Sequence, residues 1–277
     1  MLHGLIADRR LIRLSGAEAR PFLQDLVTND VEAARDDAAV YAALLTPQGK
    51  FVADFLVLAD GAQDLIVDVA AGHAPALAQA LVRYRLRRPV GIEEAGWGVA
   101  CLWSDDAGAP RPAAPDGLRL APDPRTPDLG LRLYAPEGRD AARDALAALG
   151  AAPAPIEAWT ARRIAARAPE TGVELTADAY ILEAGFERLN GVDFKKGCFV
   201  GQEIVARMKH KTTLRRDLLR LTVQGEAPPP GTPVQTEDGR AAGALGASAG
   251  GTALALLRLD RADGPLTAGA ARLTRLD

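Results

Sequence analysis

The chain has 277 residues, 48% of them apolar and 25% charged, a length that exceeds one ordinary compact core and predicts two or three subdomains. Its net charge of −3 excludes a globally basic nucleic-acid binder, and two cysteines, Cys101 and Cys198, exclude a disulfide framework. The N-terminal stretch is interrupted by Asp8, Arg9 and Arg10, and no segment reaches membrane-spanning length, so a cytoplasmic protein is the expectation.

The first predicted strand covers residues 11–14, where apolar and charged side chains alternate. Ser15-Gly16-Ala17-Glu18 reads as a capping box with Ser15 as N-cap. The helix it opens carries Phe22, Leu23, Leu26 and Val27 at helical spacing and ends near Thr28-Asn29-Asp30. Strand-like runs at 40–45, 51–58 and 65–69 follow. Pro47-Gln48-Gly49-Lys50 and Asp60-Gly61-Ala62-Gln63 turn them into an antiparallel meander. Residues 73–83 predict a helix, and a basic lead from Tyr84 to Val90 enters another strand.

Residues 104–127, rich in Pro, Ala, Gly and Asp, read as a long surface connection. Residues 139–149 form an amphipathic helix stopped by Gly150, and 156–168 form another between Pro155 and Pro169. From 217 onward, short strands punctuated by Pro228-Pro229-Pro230-Gly231 and Glu237-Asp238-Gly239-Arg240 predict a small β-barrel. The fold class is α+β, with antiparallel sheets and packed helices. A body over 1–214, divisible near 104–127, precedes a barrel over 215–277.

The chemistry concentrates in Lys195-Lys196-Gly197-Cys198-Phe199-Val200-Gly201-Gln202-Glu203. From Lys195 to Arg216 seven Lys or Arg residues (195, 196, 207, 209, 211, 215, 216) accompany one acid, Glu203. Thiolate is the reactive form of cysteine, nearby cations favour it, and glycines allow tight bends and close approach. Cys198 is therefore a candidate reactive thiol, with a small buried hydrophobe as the alternative. Cys101, inside Val99-Ala100-Cys101-Leu102-Trp103, reads as core. Gln202 and Glu203 can match the donor–acceptor edge of a heterocycle, and Lys196 and Arg207 can hold carboxylates. Glu203 and Arg207 also read as a plain i,i+4 helix pair. Trp159 suits ring stacking or core packing. Asn29 and Asp54 read as a helix-end cap and a polar strand position. His3, His73 and His210 show no metal-ligand spacing, and no phosphate loop or dinucleotide fingerprint is present.

Residues 196–203, followed by Ile204-Val205-Ala206-Arg207, resemble the signature of the YgfZ-type folate-binding proteins. The opening at 14–31 resembles that family's Gly-x-Asp/Glu…Phe-Leu-Gln…Thr-x-Asp-Val. Asp123-Pro124-Arg125 with Leu129-Gly130-Leu131-Arg132 resembles its Asp-Pro-Arg…Gly-x-Arg. The resemblance implies an aminomethyltransferase-like folate-binding body and an accessory role in iron–sulfur cluster assembly or repair, with Cys198 as the functional thiol. It implies tetrahydrofolate or another folate as ligand, near Lys196, Gln202, Glu203, Arg207, Asn29, Asp54, Trp159 and Glu183. It implies iron–sulfur assembly or client proteins as partners. Two cysteines cannot supply four thiolates to a cluster, so no permanently bound metal is expected and any cluster role is transient, shared with a partner or indirect.

Four departures qualify this. Ala53-Asp54 stands where aminomethyltransferases carry paired aspartates, and Arg167 stands in place of a glycine. Glu183 lacks the proline usually two residues before it, and Lys211-Thr212 replaces Arg-Gly. The alternatives are a folate-dependent one-carbon transferase, which Ala53 weakens, and a non-catalytic interaction module.

Overall fold

Strands of this chain place apolar residues on both faces, which calls for cover on both sides of a sheet. The computed structural model describes residues 1–106 and 108–276. They form two compact units. Unit 1 comprises Met1–Leu45, Val52–Pro155 and Leu189–Val200. Unit 2 comprises Thr46–Phe51, Ile156–Arg188 and the chain from Gly201 onward. Among the described residues no helix is long and apolar enough to cross a membrane.

Unit 1 holds two five-stranded sheets. One has the order β3 (Val40–Leu45), β4 (Phe51–Asp60), β5 (Asp64–Ala70), β2 (Arg9–Ser15) and β6 (Gly91–Ala95). The other has the order β10 (Ala152–Pro153), β1 (Leu2–Ile6), β7 (Gly98–Ser104), β9 (Leu131–Ala135) and β8 (Arg119–Pro122). The short β10 pairs parallel with β1. The period of two sorts the side chains. Val40, Ala42, Leu44, Phe55, Val57, Leu65 and Val67 pack against Phe22 and Leu23 of α1 (Ala19–Gln24) and Leu77 and Leu81 of α2 (Ala74–Arg85). The opposite parity, Leu11, Leu58 and Ile66, meets Val99, Ala121 and Tyr134 of the second sheet. That sheet's far face packs on Ala142, Ala145 and Leu146 of α3 (Arg139–Ala148). The result is a helix–sheet–sheet–helix sandwich.

Unit 2 contains α4 (Ile156–Ala165), α5 (Gln202–Lys211) and a closed six-stranded barrel. Its strands are β11 (Arg216–Gln224), β12 (Pro233–Thr236), β13 (Ala241–Ala249), β14 (Thr252–Arg258), β15 (Leu266–Ala268) and β16 (Ala271–Arg275), in the order β11-β14-β13-β12-β15-β16. Closure removes the free sheet edges, and Leu219, Leu221, Val234, Leu245, Leu257 and Leu273 fill the interior. Outside it, Ile164 of α4 packs with Leu218 and Leu254. Arg163 pairs with Glu170 at 2.7 Å, while Glu174 accepts from the Ala247 N–H at 2.7 Å.

The meander, the helices at 73–83 and 139–149, and the barrel match the sequence reading closely. Three local expectations do not. Ser15 ends β2 in register with Gly91, so it cannot open a helix; α1 starts at Ala19, and its N-cap Glu18 makes no side-chain capping bond. The connection 104–127 contains β8, and Asp123 and Arg125 beyond it are buried. The helix from 156 stops at Ala165 because Arg167 turns left-handed at φ 51°, at the position where the related family has glycine. Arg167 holds that turn by donating to the Leu218 carbonyl and the Asp217 carboxylate, both at 2.8 Å.

Candidate functional site

The cysteine motif divides between the units: Lys196 to Val200 belong to unit 1, and Gly201 onward to unit 2. In unit 1, Cys198 is exposed whereas Cys101 is buried in β7, where burial pushes its thiol pKa up. Lys196 does not point its ammonium into solvent. Its Nζ donates to the carbonyls of Gln24 and Val27, each at 2.6 Å, and of Asn29 at 3.0 Å. All three ammonium hydrogens are thereby engaged. Burial pulls its pKa down to about 8, against the attraction of Asp30, Asp193 and Asp25. Gly197 is exposed, and a Cβ there would meet nothing within 4 Å.

Asn29 and Asp54 lie in the same unit and share one intermediary, Tyr41. The Asn29 amide donates to the backbone carbonyls of Tyr41 at 2.8 Å and of Asn190 at 2.7 Å. The Tyr41 hydroxyl donates to Asp54 at 2.9 Å, and both side chains are buried. Burial first, and the Asp54 charge second, push the Tyr41 phenol well above its ordinary pKa, so it stays a donor.

Around this pair lies a buried ionic network that the sequence reading missed. The Arg125 guanidinium is 5.7 Å from the Tyr41 ring centre and forms a two-pronged pair with Asp123 at 2.7 and 2.9 Å. Arg132 bridges Asp123 at 3.3 Å and Asp68 at 3.4 Å; Asp68 also accepts from Tyr134 at 3.0 Å and Arg9 at 2.5 Å. Tyr41, Asp54, Asp68, Arg132 and Tyr134 are all on the strand parity that faces between the two sheets. The only sequence sign was the Asp-Pro-Arg…Gly-x-Arg spacing.

The remaining expected residues are in unit 2. Gly201 has φ 83°, and a Cβ there would lie 2.6 Å from the Thr46 carbonyl oxygen, so glycine is required where the turn 46–50 meets the start of α5. Gly49 is equally confined, by Ile204 of α5. Gln202 is half-buried at the first turn of α5, and Glu203 and Arg207 are exposed. Glu183 is half-buried; burial raises its carboxyl pKa despite the charges of Arg216 and Lys50. Lys50 lies 3.8 Å over the Tyr180 ring and donates to the Asp178 carbonyl at 2.7 Å. Trp159 is only 6% exposed, a packing position in α4.

Comparison with known proteins bears on the fold and family. A family model described as the CAF17 C-terminal beta-barrel domain matches residues 215–276. The crystal structure of glycine cleavage system aminomethyltransferase T from Bartonella henselae superposes with a TM-score of 0.82, covering 100% of this chain and 85% of that one at 15% identity; this shares the fold alone. A Neurospora crassa protein named iron-sulfur cluster assembly factor IBA57 homolog, mitochondrial, is 31% identical over 80% of this chain, which spans about half (54%) of that relative's length. The Mus musculus iron-sulfur cluster assembly factor IBA57, mitochondrial, is 32% identical over 93% of this chain and 78% of its own length. Both relatives are named as mitochondrial, which overturns the expectation of a cytoplasmic protein drawn from the N-terminal stretch. With an aminomethyltransferase-like body, a CAF17-type barrel and identity of this extent, the chain belongs to the IBA57 family of iron–sulfur cluster assembly factors.

Proposed function

We propose that the chain is a folate-binding accessory factor in iron–sulfur cluster assembly or repair, with Cys198 as its functional thiol and assembly or client proteins as partners. The observation that carries this reading is the contrast between its cysteines. Cys101 is buried, while Cys198 stands exposed on a segment hydrogen-bonded on both sides, through Lys196 and Val200, to the stretch that follows α1. A structural cysteine favours burial; a thiol kept at the surface is available to cargo brought by another protein. The names of the Neurospora and mouse relatives support the assembly role.

The donor set fits a folate. Glu183 would accept from the amino and amide N–H groups of a pterin edge, and the exposed Arg207 would hold the tail carboxylates, with Gln202 at the start of the same helix as Arg207. In unit 1, Asn29 and Lys196 already direct their N–H groups at backbone carbonyls. A bound tetrahydrofolate would supply a one-carbon carrier. Calorimetric titration with tetrahydrofolate tests this part: saturable binding, weakened about tenfold or more in Glu183→Gln and Arg207→Ala, is expected. Absence of binding contradicts it.

A second reading, one-carbon transfer to tetrahydrofolate, draws on the buried Asp54 held by Tyr41. Ala53 in place of a second carboxylate weighs against it. Transfer activity that disappears in Asp54→Ala would favour it.

A further inference from the structure

The last carbonyls of a helix have no partner within the helix. At the end of α1 the Pro21 and Leu23 carbonyls are met by the next few amides, whereas the carbonyl of Gln24, and those of Val27 and Asn29 just beyond the helix, find their donor 167–172 residues downstream, in the cysteine segment. Lys196 donates to Gln24, Val27 and Asn29, the Asp193 N–H donates to the Thr28 carbonyl at 3.0 Å, and the Val200 N–H donates to the Leu26 carbonyl at 3.4 Å. In return, the Thr28 hydroxyl donates to the Gly191 carbonyl and the Asn29 amide to that of Asn190, both at 2.7 Å. Val200 also packs on the core beneath α1. Between the anchors at Lys196 and Val200 only Gly197, Cys198 and Phe199 remain, the first two exposed. A half-buried ammonium from a distant segment, with all three hydrogens on carbonyls, is a fastening.

We propose that Lys196 is a positioning residue for Cys198: its ammonium pins the thiol-bearing loop to the last residue of α1 and the stretch that follows it, and fixes where the thiol meets its cargo. This rests on the reading of Cys198 as the functional thiol. Gly197 adds access, since no side chain rises beside the thiol on that side of the chain.

The experiment uses the full chain with Lys196→Met, which keeps the stem and removes the donors, and Lys196→Arg, whose planar fork retains the charge but cannot reproduce three converging bonds. Hydrogen exchange at the Asp193 and Val200 amides is expected to accelerate about tenfold or more in Lys196→Met and less in Lys196→Arg, with barrel amides unchanged. In a strain lacking the protein, Lys196→Met is expected to lower iron–sulfur enzyme activity. Combined with Cys198→Ala, it is expected to cost nothing beyond Cys198→Ala alone. Unchanged exchange, or additive losses in the double variant, overturns the proposal. Full activity of Cys198→Ala by itself sinks the thiol reading instead, while the exchange data still decide whether Lys196 pins the loop.

Discussion

The Tyr41 hydroxyl, on β3, donates a 2.9 Å hydrogen bond to the buried Asp54 carboxylate, on β4. Tyr41→Phe leaves the ring in place and takes away this donor. It is expected to cost about 1–3 kcal/mol in urea unfolding, the price of a buried acceptor losing a partner. A variant as stable as the parent would mean that Asp54 does not depend on Tyr41.

Asp123 ties that pair to the rest of the inter-sheet network. Burial alone would raise its pKa, but the charge of Arg125, its hydrogen bonds, and the charge of Arg132 outweigh burial and hold it well below the ordinary 3.8. The native state therefore binds fewer protons at this group than the unfolded chain does. Its stabilisation is complete above the unfolded value and is lost as pH falls through the folded one. Asp123→Asn takes the paired carboxylate from the buried Arg125 and one of the two carboxylates that hold Arg132, and is expected to cost about 3–5 kcal/mol at neutral pH. Its unfolding free energy should also fall less steeply below about pH 4 than the parent's. Parallel acid limbs would show that another carboxylate governs the acid side.

The two motif glycines make opposite demands. At Gly201 a Cβ would press on the Thr46 carbonyl oxygen at 2.6 Å and on the Gly49 Cα at 3.0 Å, in a left-handed backbone. Gly201→Ala is expected to destabilise by about 1–3 kcal/mol. Gly197→Ala meets nothing and should stay within about 0.5 kcal/mol in thermal or urea unfolding. Equal effects would contradict this division between fit and access.

The strands at 40–45, 51–60 and 64–70 were legible because apolar runs broken by Gly-containing turns have few alternatives. The barrel was legible from its punctuation for the same reason. The ionic network was not, because Asp68, Arg132 and Tyr134 alternate with apolar residues, and a polar face on one strand reads as a solvent face. A second sheet covers that face here. Ser15 misled because a Ser-x-x-Glu spacing says nothing of its strand partner Gly91. The importance of residues 196–203 was plain in sequence, but the partners of Lys196 were not: its carbonyl acceptors lie 167–172 residues away and belong to the backbone, which leaves no trace in residue type.

The central claim is that the exposed thiol is the working group of this chain. Its most direct test is restoration of iron–sulfur enzyme activity in a strain lacking the protein, comparing Cys198→Ala with the parent at matched protein levels. The account predicts that the parent restores activity and Cys198→Ala does not, although both fold equally well because the side chain lost is exposed. Full restoration by Cys198→Ala would contradict it.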